Sequence, residues 1–217
     1  MNTYMCEINK RYIYLMRHAK PELSEKKHVC IGKKDIPLSQ EGKEHAKKLA
    51  KYFLDKNIKN IYSSSLKRAA STAEIIADNK MNIIIRDNFS ELDVGKWDGL
   101  SFDEIKNKYT TEYAQRGTDL ENYVIQGGES MAMLRKRAIS ELQNAINESL
   151  GNILIVTHAG VIRTIISSIM EIAIDNTFDF KIDYGNISIL ALSDTVLSLD
   201  KVGIQELSNA VSCINQK

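Results

Sequence analysis

Proline is almost missing from the 217-residue sequence, which has two, Pro21 and Pro37, beside 11 glycines. No Pro/Gly-rich linker therefore divides the chain into modules, and its length predicts one large domain over residues 1–217. Cysteine is scarce too. Cys6, Cys30 and Cys213 are an odd number, far apart and without a CxxC pair, which argues against a disulfide framework, a zinc site or dithiol redox chemistry. A surplus of either charge is also missing. The 29 Lys+Arg against 28 Asp+Glu leave a net charge of +1, so neither nucleic acid nor an anionic membrane is the expected partner. Uninterrupted apolar runs are absent: the longest apolar stretch, 153–174, carries His158, Arg163 and Glu171, and residues 1–10 lack the apolar centre of a secretory signal. The expectation is a cytoplasmic protein with reduced thiols. What is present, 43% apolar and 26% charged residues, is the composition of a globular chain with a sizeable core.

The apolar pattern alternates between the two periods of regular structure. Residues 12–16, 59–63, 82–86 and 153–156 read as strands. Residues 41–54 place Ala46, Leu49, Ala50 and Phe53 on one helical face. A second helix, 66–77, is expected to be capped by Ser65. Ser130 opens a third to about 149, with Met131, Leu134, Ala138, Leu142 and Ala145 inward, and a fourth spans 161–170. Residues 187–192 and 195–202, joined by Ser193-Asp194, read as an antiparallel pair. Between 88 and 128 the pattern loosens, with Tyr109, Tyr113 and Tyr123 among polar residues, and predicts short helices in an excursion from the main fold. The fold class is a three-layer α/β/α sandwich with a mostly parallel sheet and an antiparallel edge.

In such sheets ligands bind beyond the carboxyl ends of the strands. Arg17-His18 follow the first strand, Ser64, Ser65 and Arg68 the second, and Thr157-His158 the strand at 153–156. Two arginines and two histidines on one edge call for an anion, and phosphate fits the guanidinium fork. The start of the helix after His158 offers the amides of Ala159 and Gly160 to the same anion. A positive pocket also keeps a histidine neutral and hence nucleophilic.

The residues that make this site also carry a resemblance. Tyr14-Leu15-Met16-Arg17-His18-Ala19 is similar to the signature of the histidine phosphatase superfamily, which includes the cofactor-dependent phosphoglycerate mutases. Asp35-Ile36-Pro37-Leu38-Ser39-Gln40-Glu41-Gly42, Ser63-Ser64-Ser65-Leu66-Lys67-Arg68-Ala69 and Glu91-Leu92-Asp93-Val94-Gly95-Lys96-Trp97-Asp98-Gly99 resemble further motifs of that family, as do Gly128-Glu129-Ser130 and Val156-Thr157-His158-Ala159-Gly160-Val161-Ile162-Arg163. The six follow the family's order. The resemblance implies a phosphoglycerate mutase-like fold in which His18 attacks phosphorus and becomes a phosphohistidine. Arg17, Arg68 and His158 would hold the non-bridging oxygens, Glu91 would act as acid and then base, and no metal or other cofactor would be needed. It implies a small-molecule phosphomonoester as substrate and inorganic phosphate as product. The segment around Cys30-Ile31-Gly32, with Asp35, Pro37, Leu38 and Ser39, and the Val156–Gly160 run look most similar to the α-ribazole phosphatase branch of cobalamin biosynthesis.

The sequence departs from the family at three places. Ala19 stands where glycine is usual, Lys20-Pro21-Glu22 replaces a more common pair, and Ser24 falls where the family often has a phosphate-binding asparagine. Asp93 is the alternative proton donor to Glu91. His45, among Lys43, Glu44, Lys47 and Lys48, reads as part of a solvated face, and Arg163 as a structural pairing residue. His28 could line the entrance. Trp97 with the three tyrosines makes either a lid or the excursion's own small core. Two rival functions, a phosphoglycerate mutase and a non-catalytic phospho-ligand binder, share the motifs, and a metallohydrolase lacks the ligand spacing. The excursion at 88–128 is expected to cap the site and to hold leaving-group specificity.

Overall fold

Side chains along β1 (Lys10–Arg17) alternate between two apolar cores: Ile13 and Leu15 enter one, Tyr14 and Met16 the other. A strand buried on both faces belongs in the middle of a sheet covered on both sides, and that is where β1 lies in the computed structural model, which describes residues 10–23 and 29–205. The sheet comprises β1, β2 (Ile58–Ser63), β3 (Ile83–Ile85), β4 (Asn152–Thr157), β5 (Ile187–Ser193) and β6 (Val196–Ile204), in the spatial order β3-β2-β4-β1-β5-β6. Strands β1 to β4 run parallel. The β5-β6 hairpin joins antiparallel to β1, with the turn residue Asp194 at φ 55°.

Helices α1 (Gln40–Phe53) and α2 (Lys67–Ala77) pack on the face that Tyr14, Met16, Ile61, Leu154 and Val156 present. Helices α5 (Met131–Glu148) and α6 (Ala159–Met170) cover the opposite face, where Ile13, Leu15, Ile153 and Ile155 meet Leu134, Ala138, Ile162, Ile165 and Ile166. Each fully buried aliphatic side chain of this kind contributes about 1.5–3 kcal/mol. The result is the expected three-layer sandwich, mostly parallel with an antiparallel edge. No helix among the described residues is long and apolar enough to cross a membrane.

Three local expectations are corrected. Ser65 does not cap α2, whose first N–H, that of Lys67, is taken at 2.7 Å by Asp35 from a distant loop, while Ser64 Oγ accepts from Leu66 N–H at 3.2 Å. A carboxylate is the better partner for the positive end of a helix. His45 is half-buried, close against Gly185, so its face of α1 is not wholly solvated. The side chains of 88–128 form no core of their own. Two 3-10 turns, α3 (Phe102–Lys108) and α4 (Thr110–Thr118) bring Phe89, Val94, Trp97, Ile105 and Ile125 into the core shared with α5 and α6.

Candidate active site

At the carboxyl edge, β1, β4 and β2 stop in step. Arg17 is level with Thr157 and Ser63 with Val156, and the ladder continues through His18 N–H to Thr157 C=O (2.9 Å) and Ser64 N–H to Val156 C=O (3.1 Å). Three neighbouring strands therefore deliver Arg17 with His18, Ser64 and His158 to one place, and the first turn of α2 adds Arg68.

His18 is almost wholly buried, and its Nδ1 lies 2.7 Å from the Ala19 carbonyl. A carbonyl only accepts, so Nδ1 carries the proton and Nε2 keeps its lone pair. Burial, then the charges of Arg68 and Arg17, hold the His18 pKa well below the usual histidine value. His18 is thus neutral and nucleophilic at neutral pH. His158 packs beside it, ring centroids 5.0 Å apart, with Nε2 2.8 Å from Ser64 Oγ and its pKa depressed by burial, His18 and both arginines.

Ala19, in place of the usual glycine, is fully buried against Leu38 and Ala46, and its N–H donates to Thr72 Oγ1 at 3.1 Å. Its φ is not positive, so the methyl group brings no backbone strain. Gly42 is a different case. A Cβ there would sit 2.1 Å from the Lys20 carbonyl, the same oxygen that accepts from Ser39 N–H and Oγ–H. The start of α1 is thereby pressed onto the loop that follows the nucleophile.

The two arginines are held differently. Arg68, 1% exposed, donates from its two terminal nitrogens to the carbonyls of Lys34 (2.8 Å) and Gly32 (2.7 Å). Arg17 donates to Ile182 C=O at 2.7 Å and lies 3.9 Å from the centre of the Tyr184 ring. Among the described residues its buried Nε has no hydrogen-bond partner, and neither does the buried Nδ1 of His158. Tyr184 also packs against His18 at 5.4 Å. Sequence patterning misses it, because it stands in an irregular stretch before β5 with no periodicity to mark it.

Glu91 is aimed by backbone amides. Its Oε1 accepts from Leu92 N–H at 2.9 Å and its Oε2 from Gly160 N–H at 3.3 Å, so the Gly160 amide expected on the anion serves the carboxylate instead. A Cβ on Gly160 would meet Glu91 Oε1 at 2.4 Å, which keeps the position small. Asp93 turns away from this role and accepts from Gly95 N–H in the following turn. The backbone beneath Glu91 is fastened by Arg137, which donates to the carbonyls of Asn88, Ser90 and Glu91 and grips Glu129 through two nitrogens at 2.6 and 3.0 Å. Thr157 Oγ1 adds a bond to Phe89 C=O at 2.6 Å. The sequence contained one signal for this clamp: Glu129, beside the Ser130 cap, and Arg137 are opposite charges that flank the first two turns of α5.

Two adjoining cavities complete the site. A polar one of about 80 Å³ is lined by Arg17, His18, Arg68, Glu91 and Tyr184 with Pro21, Val29 and Ile31. A larger one of about 360 Å³ shares Val29, Ile31 and Glu91 with it and extends over Cys30, Val94, Trp97, Phe178 and the Ala159-Gly160 start of α6. His158 stands behind His18, and Ala159 borders the larger cavity; neither lines the small one. Arg163 donates to the carbonyls of Thr177 and Phe180, as a structural arginine does, and also lines the larger cavity. Ser24 and His28 lie outside the described residues.

The sequence profile of the histidine phosphatase superfamily (branch 1) matches residues 13–205. The chain belongs to the histidine phosphatase superfamily. It is 28% identical over 184 residues to phosphoserine phosphatase 1 of Hydrogenobacter thermophilus, an alignment covering 84% of this chain and 87% of that protein. It is 31% identical over 169 residues to human 6-phosphofructo-2-kinase/fructose-2,6-bisphosphatase 4, covering 76% of this chain and 34% of that larger protein. Among solved structures, the α-ribazole phosphatase from Shigella flexneri superposes with a TM-score of 0.80 at 21% identity, over 89% of this chain and 96% of that one. The superposition shows a shared fold. The family and its phosphatase members make this chain a phosphoric monoester hydrolase by kinship.

Proposed function

We propose that the protein is a metal-independent phosphomonoesterase that works on a small phosphorylated metabolite through a phosphohistidine on His18. The observation that carries this reading is the small polar cavity: it brings together a neutral histidine with its proton fixed on Nδ1, two guanidinium groups and a carboxylate. In the first half-reaction His18 Nε2 forms the N–P bond as the P–O bond to the leaving alcohol breaks. Arg17, Arg68 and His158, with the Ala159 N–H at the first position of α6, stabilise the charge on the three non-bridging oxygens. Glu91 gives its proton to the departing oxygen. In the second half-reaction the Glu91 carboxylate takes a proton from water, which attacks phosphorus and releases inorganic phosphate and free His18. Residues 88–128 act as the cap that bounds the leaving-group side, since Val94, Trp97, Tyr113 and Arg116 line the larger cavity.

A phosphate-release screen over phosphorylated metabolites, including α-ribazole 5′-phosphate, 3-phosphoglycerate and sugar phosphates, tests the reading. Turnover of at least one of them is expected, with a loss of about 10³-fold or more in His18→Ala. Absence of turnover for every ester, or activity that survives His18→Ala, contradicts it. Isomerisation of 3-phosphoglycerate in place of phosphate release would identify the mutase.

A further inference from the structure

Tyr184 lines the small polar cavity and has no task in the chemistry above. Its surroundings give it one, because the two arginines of that cavity are fixed unequally. Arg68 is tied at both terminal nitrogens, to the carbonyls of Lys34 and Gly32, which sets its plane. Arg17 is tied at one, through Nη1 to Ile182 C=O at 2.7 Å, and its other edge, Nε with Nη2, donates to no described residue. That free edge is a fork suited to two oxygens of one phosphoryl group. A single hydrogen bond is a hinge, however, about which the plane can tilt until the fork misses. The face of Tyr184 closes the hinge. Its ring centre lies 3.9 Å from the guanidinium carbon of Arg17, and the same ring lies 5.4 Å from the centre of the His18 imidazole.

The backbone that carries Tyr184 is bonded to the two residues its ring touches. Asn186 N–H donates to Asp183 C=O at 3.0 Å and closes a four-residue turn with Gly185 in the third position at φ 77°, the region that favours glycine. Gly185 N–H donates to the carbonyls of Arg17 (3.1 Å) and His18 (3.2 Å), and Arg17 N–H donates back to Asn186 C=O at 3.1 Å. Behind the turn stands His45, whose Cε1 would be 2.4 Å from a Cβ on Gly185. Residues 182–186 are therefore a strap fastened to the nucleophile's own backbone, with Tyr184 as its one aromatic side chain. An aliphatic residue at 184 could fill the space but has no negative ring face to offer a cation.

From this arrangement we infer that Tyr184 is a positioning residue of the catalytic site. Its ring face fixes the plane of the Arg17 guanidinium, so that the Nε and Nη2 edge meets two oxygens of the phosphoryl group, and it braces the His18 imidazole for in-line attack. It acts through Arg17 and His18 and forms no bond to the substrate. The inference rests on the phosphatase reading and deepens it. A guanidinium aimed beforehand has no reorganisation left to make as charge builds on the oxygens, so the benefit appears in the rate.

The experiment measures kcat/KM of the full chain for p-nitrophenyl phosphate. Tyr184→Leu lowers it by about tenfold, the scale of a cation–π contact sheltered from water. Tyr184→Phe, which keeps the ring face and loses only the hydroxyl, recovers most of that loss. In an Arg17→Lys background, where no guanidinium plane remains to be oriented, adding Tyr184→Leu costs less than about threefold. That difference between backgrounds is what a merely structural tyrosine would not produce. Thermal melting checks that the variants are folded, and Tyr184→Met is the second ring-free variant should the leucine protein fail to fold. A ring-free variant that is folded and loses less than about threefold overturns the inference and leaves the phosphatase reading standing. So does a Tyr184→Phe protein as slow as the ring-free one, or an equal loss in the parent and Arg17→Lys backgrounds. A parent chain that hydrolyses no phosphomonoester overturns the phosphatase reading and this inference with it.

Discussion

Two histidines with ring centroids 5.0 Å apart, both buried beside Arg17 and Arg68, are held neutral in the folded protein and released to ordinary titration when it unfolds. The folded pKa of each lies below its unfolded value near 6.5, so above that pH neither state binds the protons and the pair has no effect on pH dependence. Below it the unfolded chain takes up protons that the folded one refuses, and stability falls with pH until the folded pKa values are passed. Urea melts at pH 7.5, 6.5 and 5.5 should show the midpoint dropping chiefly in the last interval, with a smaller drop in a His18→Asn, His158→Asn double variant. An equal drop in both would remove the histidines as its cause. At this scale the sequence was legible where a residue type is demanded by chemistry: Arg17, His18, Arg68, Glu91 and His158 all come to one edge. Tyr184 and Thr72 were not legible, because their contacts join segments far apart in sequence and any aromatic or hydroxyl side chain looks alike in a pattern.

Elements hold these residues still. Strand and helix positions followed from period 2 and period 3.6, and the observed bounds differ from expectation mainly by a residue or two at their ends. The cap of α2 was misread because Asp35, 32 residues before Lys67, supplies it. A local rule cannot see such a partner. The clamp from α5 is the other long-range element contact that matters for the site. Arg137 and Glu129 have side chains 19% and 12% exposed, and Arg137 also takes three carbonyls of the segment that ends in Glu91. Arg137→Ala leaves Glu129 and those carbonyls short of donors and is expected to cost about 3 kcal/mol. Because it loosens Glu91 and leaves His18 in place, kcat should fall more for esters with poor leaving groups than for p-nitrophenyl phosphate. Equal losses on both kinds of ester would show that the clamp does not act through Glu91.

Over the whole molecule, a net charge of +1 describes nothing near the site, where Arg17, Arg68, Arg116 and Arg163 gather around two cavities with Glu91 between them. The expectation of a loosely patterned excursion at 88–128 was right about its short helices, while the small core of its own, one of the two readings of its aromatics, did not form. Phe89, Trp97 and Ile105 are buried with the α5-α6 layer, a long-range burial that no window of sequence displays. The central claim is that phosphorus passes through His18. Rapid quenching of the enzyme with a ³²P-labelled phosphomonoester that it hydrolyses should trap label in an acid-labile, alkali-stable form on the peptide containing His18, appearing before free phosphate and absent from His18→Ala. Steady hydrolysis with no labelled protein at any time, or label on a residue other than His18, would contradict the account.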